Sequence, residues 1–123
     1  MSDRPTILVA DDTAVNLRLF SVYLGGAYEV ETVETAEAAQ DRIATGGVDA
    51  AILDLNYQGG MTGLELIAAL RADPATADVR ALALTAHASP EDRARCLAAG
   101  FDAYLSKPVM KAEMLAAVAD LLA

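Results

Sequence analysis

Five residues that follow apolar runs carry the chemistry of this sequence. Asp11 and Asp12 close the run Thr6-Ile-Leu-Val-Ala10, and Asp54 closes Ala50-Ala-Ile-Leu53. Thr85 closes Ala81-Leu-Ala-Leu84, and Lys107 stands three residues after Tyr104 and directly before Pro108. Three carboxylates gathered in one crevice repel each other, which raises at least one pKa unless a cation intervenes. Hard oxygen donors select Mg²⁺, with Mn²⁺ as an alternative, over zinc. So few protein ligands leave coordination positions for water and for a phosphate oxygen. Lys107 supplies a second positive point and Thr85 a hydroxyl donor. In that setting Asp54 is a carboxylate nucleophile facing an electrophilic phosphorus, with metal and ammonium taking up charge on the equatorial oxygens.

Taken one at a time, each residue has a structural explanation. Asp11-Asp12 serves equally well as a helix cap, Asp54 as a turn residue, Thr85 as a solvated strand end and Lys107-Pro108 as a loop pair. Gly59-Gly60 reads as loop geometry, because no P-loop spacing accompanies it. His87 has no second histidine near it in sequence to form a metal pair, and Cys96 reads as a packed small apolar residue. Those separate explanations leave one fact over: the five residues fall at the ends of four different strands.

The elements that must position them alternate along the chain. Thr6–Ala10 is a continuous apolar run of the kind buried on both faces of a parallel sheet. A helix follows, capped by Thr13, running to about Leu24 and closed by Gly25-Gly26. Its inner stripe is expected at Asn16, Leu19, Phe20, Tyr23 and Leu24, with Val15 and Val22 off it. Residues 27–33 alternate in part, as an edge strand does. Thr35 opens a weaker helix to about Ala44 with Ala36, Ala39 and Ile43 inward. Residues 49–53 form a second buried strand, and 56–63 a glycine-rich loop. A short helix covers 64–71 and is stopped by Asp73-Pro74. Residues 80–84 make the next strand, and Ser89-Pro90-Glu91-Asp92 is a strong helix start. That helix ends at Gly100, a short strand follows at 102–105, and Met110, Met114, Leu115, Val118, Leu121 and Leu122 mark a terminal amphipathic helix. Strand–helix alternation repeated five times predicts an α/β fold, a five-stranded parallel sheet with helices on both faces and right-handed crossovers. Ligands of such sheets bind beyond the carboxyl ends of the strands, where all five residues fall.

Composition narrows the function classes. The 123 residues predict one domain spanning 1–123 with a real core, and 54% hydrophobic content argues for a packed globular chain. Nine Lys and Arg against 18 Asp and Glu give a net charge of −9, which opposes binding to nucleic acid or anionic membrane. One cysteine, no signal-type segment and no apolar run near the ~18–20 residues of a bilayer span predict a cytoplasmic protein.

Four segments, Ile7-Leu-Val-Ala-Asp-Asp12, Ile52-Leu-Asp-Leu-Asn56, Leu82-Ala-Leu-Thr-Ala86 and Ala103-Tyr-Leu-Ser-Lys-Pro108, carry a resemblance that covers nearly the whole chain. In them the sequence resembles the receiver domain of two-component response regulators. The resemblance implies the flavodoxin-like strand order 2-1-3-4-5. It implies a phosphoacceptor at Asp54, served by a phosphohistidine of a histidine kinase or phosphotransfer protein. It also implies Mg²⁺ on Asp12, Asp54 and the Asn56 backbone carbonyl, with Asp11 acting through water. Thr85 and Tyr104 would be a switch pair, Lys107 a phosphoryl contact next to a cis Lys107–Pro108 bond, and Asn56 and His87 would tune dephosphorylation. The family's usual Met-Pro after the acceptor is replaced by Tyr57-Gln-Gly-Gly-Met61, in a loop one residue longer.

The reading that follows is a single-domain receiver that relays phosphate or switches a downstream protein target. Val15 and Val22 are expected to form the docking face for its partner. The alternatives are a receiver excised from a hybrid histidine kinase and an Asp-nucleophile phosphatase-type enzyme. The latter usually carries a second acid two residues after the nucleophile, where this chain has Asn56. A flavodoxin-like mononucleotide binder would need a hydroxyl-rich loop in place of Asp11-Asp12.

Overall fold

The computed structural model describes residues 4–86 and 89–123. The five apolar runs are strands, β1 (Thr6–Ala10), β2 (Glu29–Val33), β3 (Ala50–Asp54), β4 (Arg80–Thr85) and β5 (Ala103–Ser106). They form one sheet in the order β2-β1-β3-β4-β5, and every pair is parallel. Helices α1 (Ala14–Leu24), α2 (Ala36–Ala44), α3 (Gly63–Ala72), α4 (Pro90–Ala99) and α5 (Lys111–Leu122) alternate with them. The chain reverses direction of travel across the sheet between β2 and β3, so the crevice lies at the carboxyl ends of β1 and β3.

Alternation along each central strand builds two cores. Leu8, Ala10, Ala51, Leu53, Ala81 and Ala83 face Ala36, Ala39 and Ile43 of α2, Leu66, Ile67 and Leu70 of α3, and Cys96 of α4. Ile7, Val9, Ile52, Leu82 and Leu84 face Leu17, Phe20 and Leu24 of α1 and Met114, Val118 and Leu121 of α5. β3 is buried along its whole length, whereas β2, at the edge, alternates between exposed and half-buried residues. Cys96 is a buried free thiol.

Two expectations about α1 are corrected. Its buried residues are Leu17, Phe20 and Leu24, and Leu19 is exposed. The helix is apolar nearly all round, so sequence spacing alone allowed a stripe one step away. Thr13 holds the N-cap position without accepting a side-chain hydrogen bond. The Asp11 carboxylate accepts from the Thr13 N–H at 2.9 Å instead, closing an Asx turn. Elsewhere the caps hold as read: the Thr35 hydroxyl accepts from Ala38 N and the Ser89 hydroxyl from Asp92 N. α3 starts earlier than expected, because Thr62 and Glu65 form a reciprocal capping box.

Candidate functional site

The site begins where the sheet's hydrogen-bonded ladders end. The β1–β3 register stops at Ala10 opposite Leu53, so Asp11 lies just past the end of the ladder, with Asp54 closing β3 at the same end of the sheet. Both carboxylates are nevertheless buried, and Asp12 is half-buried beside them. One carboxylate oxygen from each of Asp11, Asp12 and Asp54 lies within 4.8 Å of the others. Thr85 closes β4 and is 1% exposed. Lys107 N–H donates to the Thr85 carbonyl at 2.7 Å, which anchors the loop after β5 beside the same crevice. The Lys107–Pro108 peptide is cis.

The Lys107 ammonium bridges two acids, 2.9 Å from Asp11 Oδ2 and 2.8 Å from Asp54 Oδ2. Asp11 also accepts from Thr13 N and from Asn16 Nδ2, the latter at 3.4–3.5 Å. Asp54 Oδ1 accepts from Asn56 N at 3.1 Å, so both of its oxygens are held in a fixed orientation. Burial pushes the Asp54 carboxyl above its ordinary value, against the opposing pull of Lys107 and of the Asn56 N–H. Burial alone would lower Lys107, but its hydrogen bonds to Asp54 and Asp11 outweigh that and raise it. The pocket is therefore short of positive charge: three carboxylates and one ammonium leave a formal −2.

That donor set fits a small hard cation. Oxygens on an octahedral Mg²⁺ at about 2.1 Å stand roughly 3 Å apart when adjacent and roughly 4.2 Å apart when opposite. The three Asp oxygens lie within reach of that spacing after small side-chain movements, and a water-bridged Asp11 requires less still. All-oxygen donors without sulfur or imidazole favour Mg²⁺ or Mn²⁺.

The loop after Asp54 contains residues that sequence reasoning did not assign. Tyr57 packs its ring against the α2–α3 core, and its hydroxyl donates to the Ala10 carbonyl at 3.4 Å. Burial first, then the charges of Asp54, Asp11 and Asp12, push its phenol far above the usual range, so it stays a neutral donor. The loop's tip is held by Glu37, whose carboxylate accepts from Met61 N at 2.8 Å. Gly60 has φ +69°, which favours glycine, and a Cβ there would push on that carboxylate and disturb its hold on Met61. The spacing of Asn16 from Asp11 was a usable signal for its contact, being one helical turn after the acidic pair; nothing local marked Glu37.

The remaining candidates fall as follows. Asn56 is exposed at the mouth of the crevice. Tyr104 lies on β5, half-buried against the α3–α4 core, in register with Ala83 and two residues from the strand end. His87 lies outside the described residues. Val15 and Val22 lie on α1. They are 74% and 69% exposed, and with Arg18 and Leu19 they line an open apolar hollow on α1. Among the described residues, no helix is long and apolar enough to cross a membrane.

Comparison with known proteins agrees with this architecture. The family model described as the response regulator receiver domain matches residues 7–119. The sensory/regulatory protein RpfC of Xanthomonas campestris is 36% identical over 118 residues, 94% of this chain and 16% of its own. The sensor histidine kinase RcsC of Salmonella typhimurium is 34% identical over 109 residues, 88% of this chain and 11% of its own. The chain thus spans less than a fifth of the length of these two relatives. Among solved structures, the chemotaxis protein CheY4 of Vibrio cholerae superposes with a TM-score of 0.88 at 28% identity, covering 97% of this chain and 99% of its own. Fold, site position and sequence lead to one assignment: the chain belongs to the response regulator receiver domain family, a signalling domain of two-component systems.

Proposed function

We propose that this chain, as one receiver domain over residues 1–123, accepts a phosphoryl group on Asp54 from a phosphohistidine of a histidine kinase or phosphotransfer protein. The observation that carries the reading is the Asp54 carboxylate itself. It is buried at a strand end, oriented by Asn56 N–H on one oxygen and by Lys107 on the other, with two further acids beside it.

In the transfer, an Asp54 oxygen attacks phosphorus in line with the departing imidazole nitrogen. The P–N bond breaks as the P–O bond forms, and the imidazole leaves carrying a proton from solvent. Asp12, Asp54 and the Asn56 carbonyl would hold Mg²⁺, with Asp11 reaching it through water. Bound there, the cation supplies positive charge for the phosphoryl oxygens. Lys107 releases its contact with Asp54 and turns its ammonium to a phosphoryl oxygen, keeping Asp11 as its partner. The buried Thr85 hydroxyl donates to another, and the half-buried Tyr104 follows inward to complete the switch. Asn56, exposed at the mouth, and His87 govern how water reaches the acyl phosphate. Val15 and Val22 give the partner an apolar landing on α1, and the output is a contact with a downstream protein or onward relay. These roles belong to a cytoplasmic signalling module that catalyses only its own phosphorylation and dephosphorylation.

The test is transfer from a phosphohistidine-bearing donor protein, followed by borohydride reduction and peptide mapping. Reduction is expected to mark Asp54. A mark on any other residue, with Asp54 intact, would overturn the assignment.

A further inference from the structure

The backbone leaving Asp54 is fastened on one side by its own ladder. Leu55 N–H donates to Leu84 O on β4 at 3.1 Å, and Gly63 N–H returns to Leu55 O at 2.9 Å. Neither bond reaches β1, whose end carries Asp11 and Asp12. The β1–β3 ladder pairs Ala10 with Leu53, the residues immediately before Asp11 and Asp54, so backbone pairing sets the spacing as far as the acids and leaves a gap beyond them. Two side chains span that gap. One is Lys107, held between Asp11 and Asp54, which must give up Asp54 when a phosphoryl group arrives. The other is Tyr57, whose hydroxyl reaches back 47 residues to the carbonyl immediately before Asp11.

We propose that Tyr57 is a positioning residue for the cation pocket: its hydroxyl, donated to the Ala10 carbonyl, ties the loop bearing Asn56 to the strand end bearing Asp11 and Asp12. The inference rests on the cation-binding reading of that pocket given above. The tether acts in a loop whose tip is built from two glycines of positive φ. It holds through the reaction, because it involves no group that contacts the phosphoryl. The ring, packed against the α2–α3 core, fixes the direction in which the hydroxyl points. Loss of the hydroxyl leaves that packing in place and frees the carbonyl of Asn56 to drift relative to Asp12.

The experiment is a heteronuclear NMR titration with MgCl₂ of the wild-type chain, Tyr57→Phe and Tyr57→Met, with thermal midpoints measured in EDTA. Wild type is expected to bind. Tyr57→Phe should raise the Mg²⁺ dissociation constant by roughly two- to five-fold, the effect of one weak hydrogen bond, and Tyr57→Met by at least as much. A tyrosine serving packing alone would lower the midpoint in EDTA and leave the dissociation constant at the wild-type value; that result overturns the proposal. So does a normal Tyr57→Phe beside a weakened Tyr57→Met, since the ring rather than the hydroxyl would then matter. Absence of Mg²⁺ binding by the wild type itself would remove the cation reading beneath both.

Discussion

Replacing Lys107 by Met removes the ammonium that separates Asp11 from Asp54 while keeping most of the apolar stem of the side chain. Its nitrogen lies 2.9 and 2.8 Å from the two carboxylates, and the side chain is 22% exposed. At an effective dielectric constant of about 20, each such attraction is worth about 6 kcal/mol at these separations before desolvation is subtracted. Removing one partner of a buried pair costs about 3–5 kcal/mol, and the partial exposure of Lys107 brings the expected loss to about 2–4 kcal/mol. A domain of this size shifts its midpoint by about 3–5 °C per kcal/mol, so the drop should be about 6–20 °C in EDTA at neutral pH.

The pH dependence gives the second arm of the same assay. Lys107 has its pKa raised on folding, so its contribution is complete below 10.5 and is lost only as pH rises through the raised value. Asp54 is also raised, which for an acid means that ionising it opposes folding; stability is greatest below 3.8 and falls as pH climbs through the folded value. Without Lys107 that folded value moves further up. Acidifying from neutral pH should therefore narrow the gap between variant and wild type, and so should Mg²⁺, which stabilises by RT ln(1 + [Mg²⁺]/Kd). Thermal melts followed by circular dichroism read all three conditions. A Lys107→Met midpoint equal to wild type in EDTA, or a gap that widens in mild acid, would refute the charge account of the pocket.

Other substitutions test other parts of the structure. Gly63→Ala places a Cβ 2.4 Å from the Asp54 carbonyl oxygen and 2.6 Å from Leu55 Cα, so α3 must shift and urea melts should show a loss of about 2–4 kcal/mol. Thr62→Ala removes half of the α3 capping box and should cost about 1 kcal/mol in the same melts. Val22→Asp sits on an exposed face and should leave the melting temperature within experimental error while slowing phosphotransfer from the partner; an unchanged transfer rate would rule out the α1 docking face.

Much of the fold was legible because burial on both faces leaves a simple trace. β1, β3 and β4 are apolar without interruption, and the strand-end residues after them could be picked out by type alone. Ala36, Ala39 and Ile43 were legible as the inner side of α2 because Glu37, Gln40, Asp41 and Arg42 mark the opposite side as polar. α1 was not, since seven of its eleven residues are large and apolar and the choice between Leu17 and Leu19 is made by contact with β1, β3 and α5. Arg71 gave no local signal either. It donates to the carbonyls of Gly100, Ala77 and Val79 and pairs with Asp102, joining α3 to the stretches before β4 and before β5. In the site, Asp11, Asp12, Asp54, Thr85 and Lys107 were readable from their strand ends. The reach of Tyr57 to Ala10 and the grip of Glu37 on Met61 were not, because each joins a loop residue to an element far away in sequence through geometry that no periodicity encodes.

The central claim is that Asp54 takes up a phosphoryl group with the help of a divalent cation. Intact-mass measurement after incubation with a small phosphodonor and Mg²⁺ tests it most directly. A gain of one phosphoryl group is expected, and it should disappear with Asp54→Asn and with chelation. No gain under any of these conditions, or a gain that survives Asp54→Asn, would contradict it.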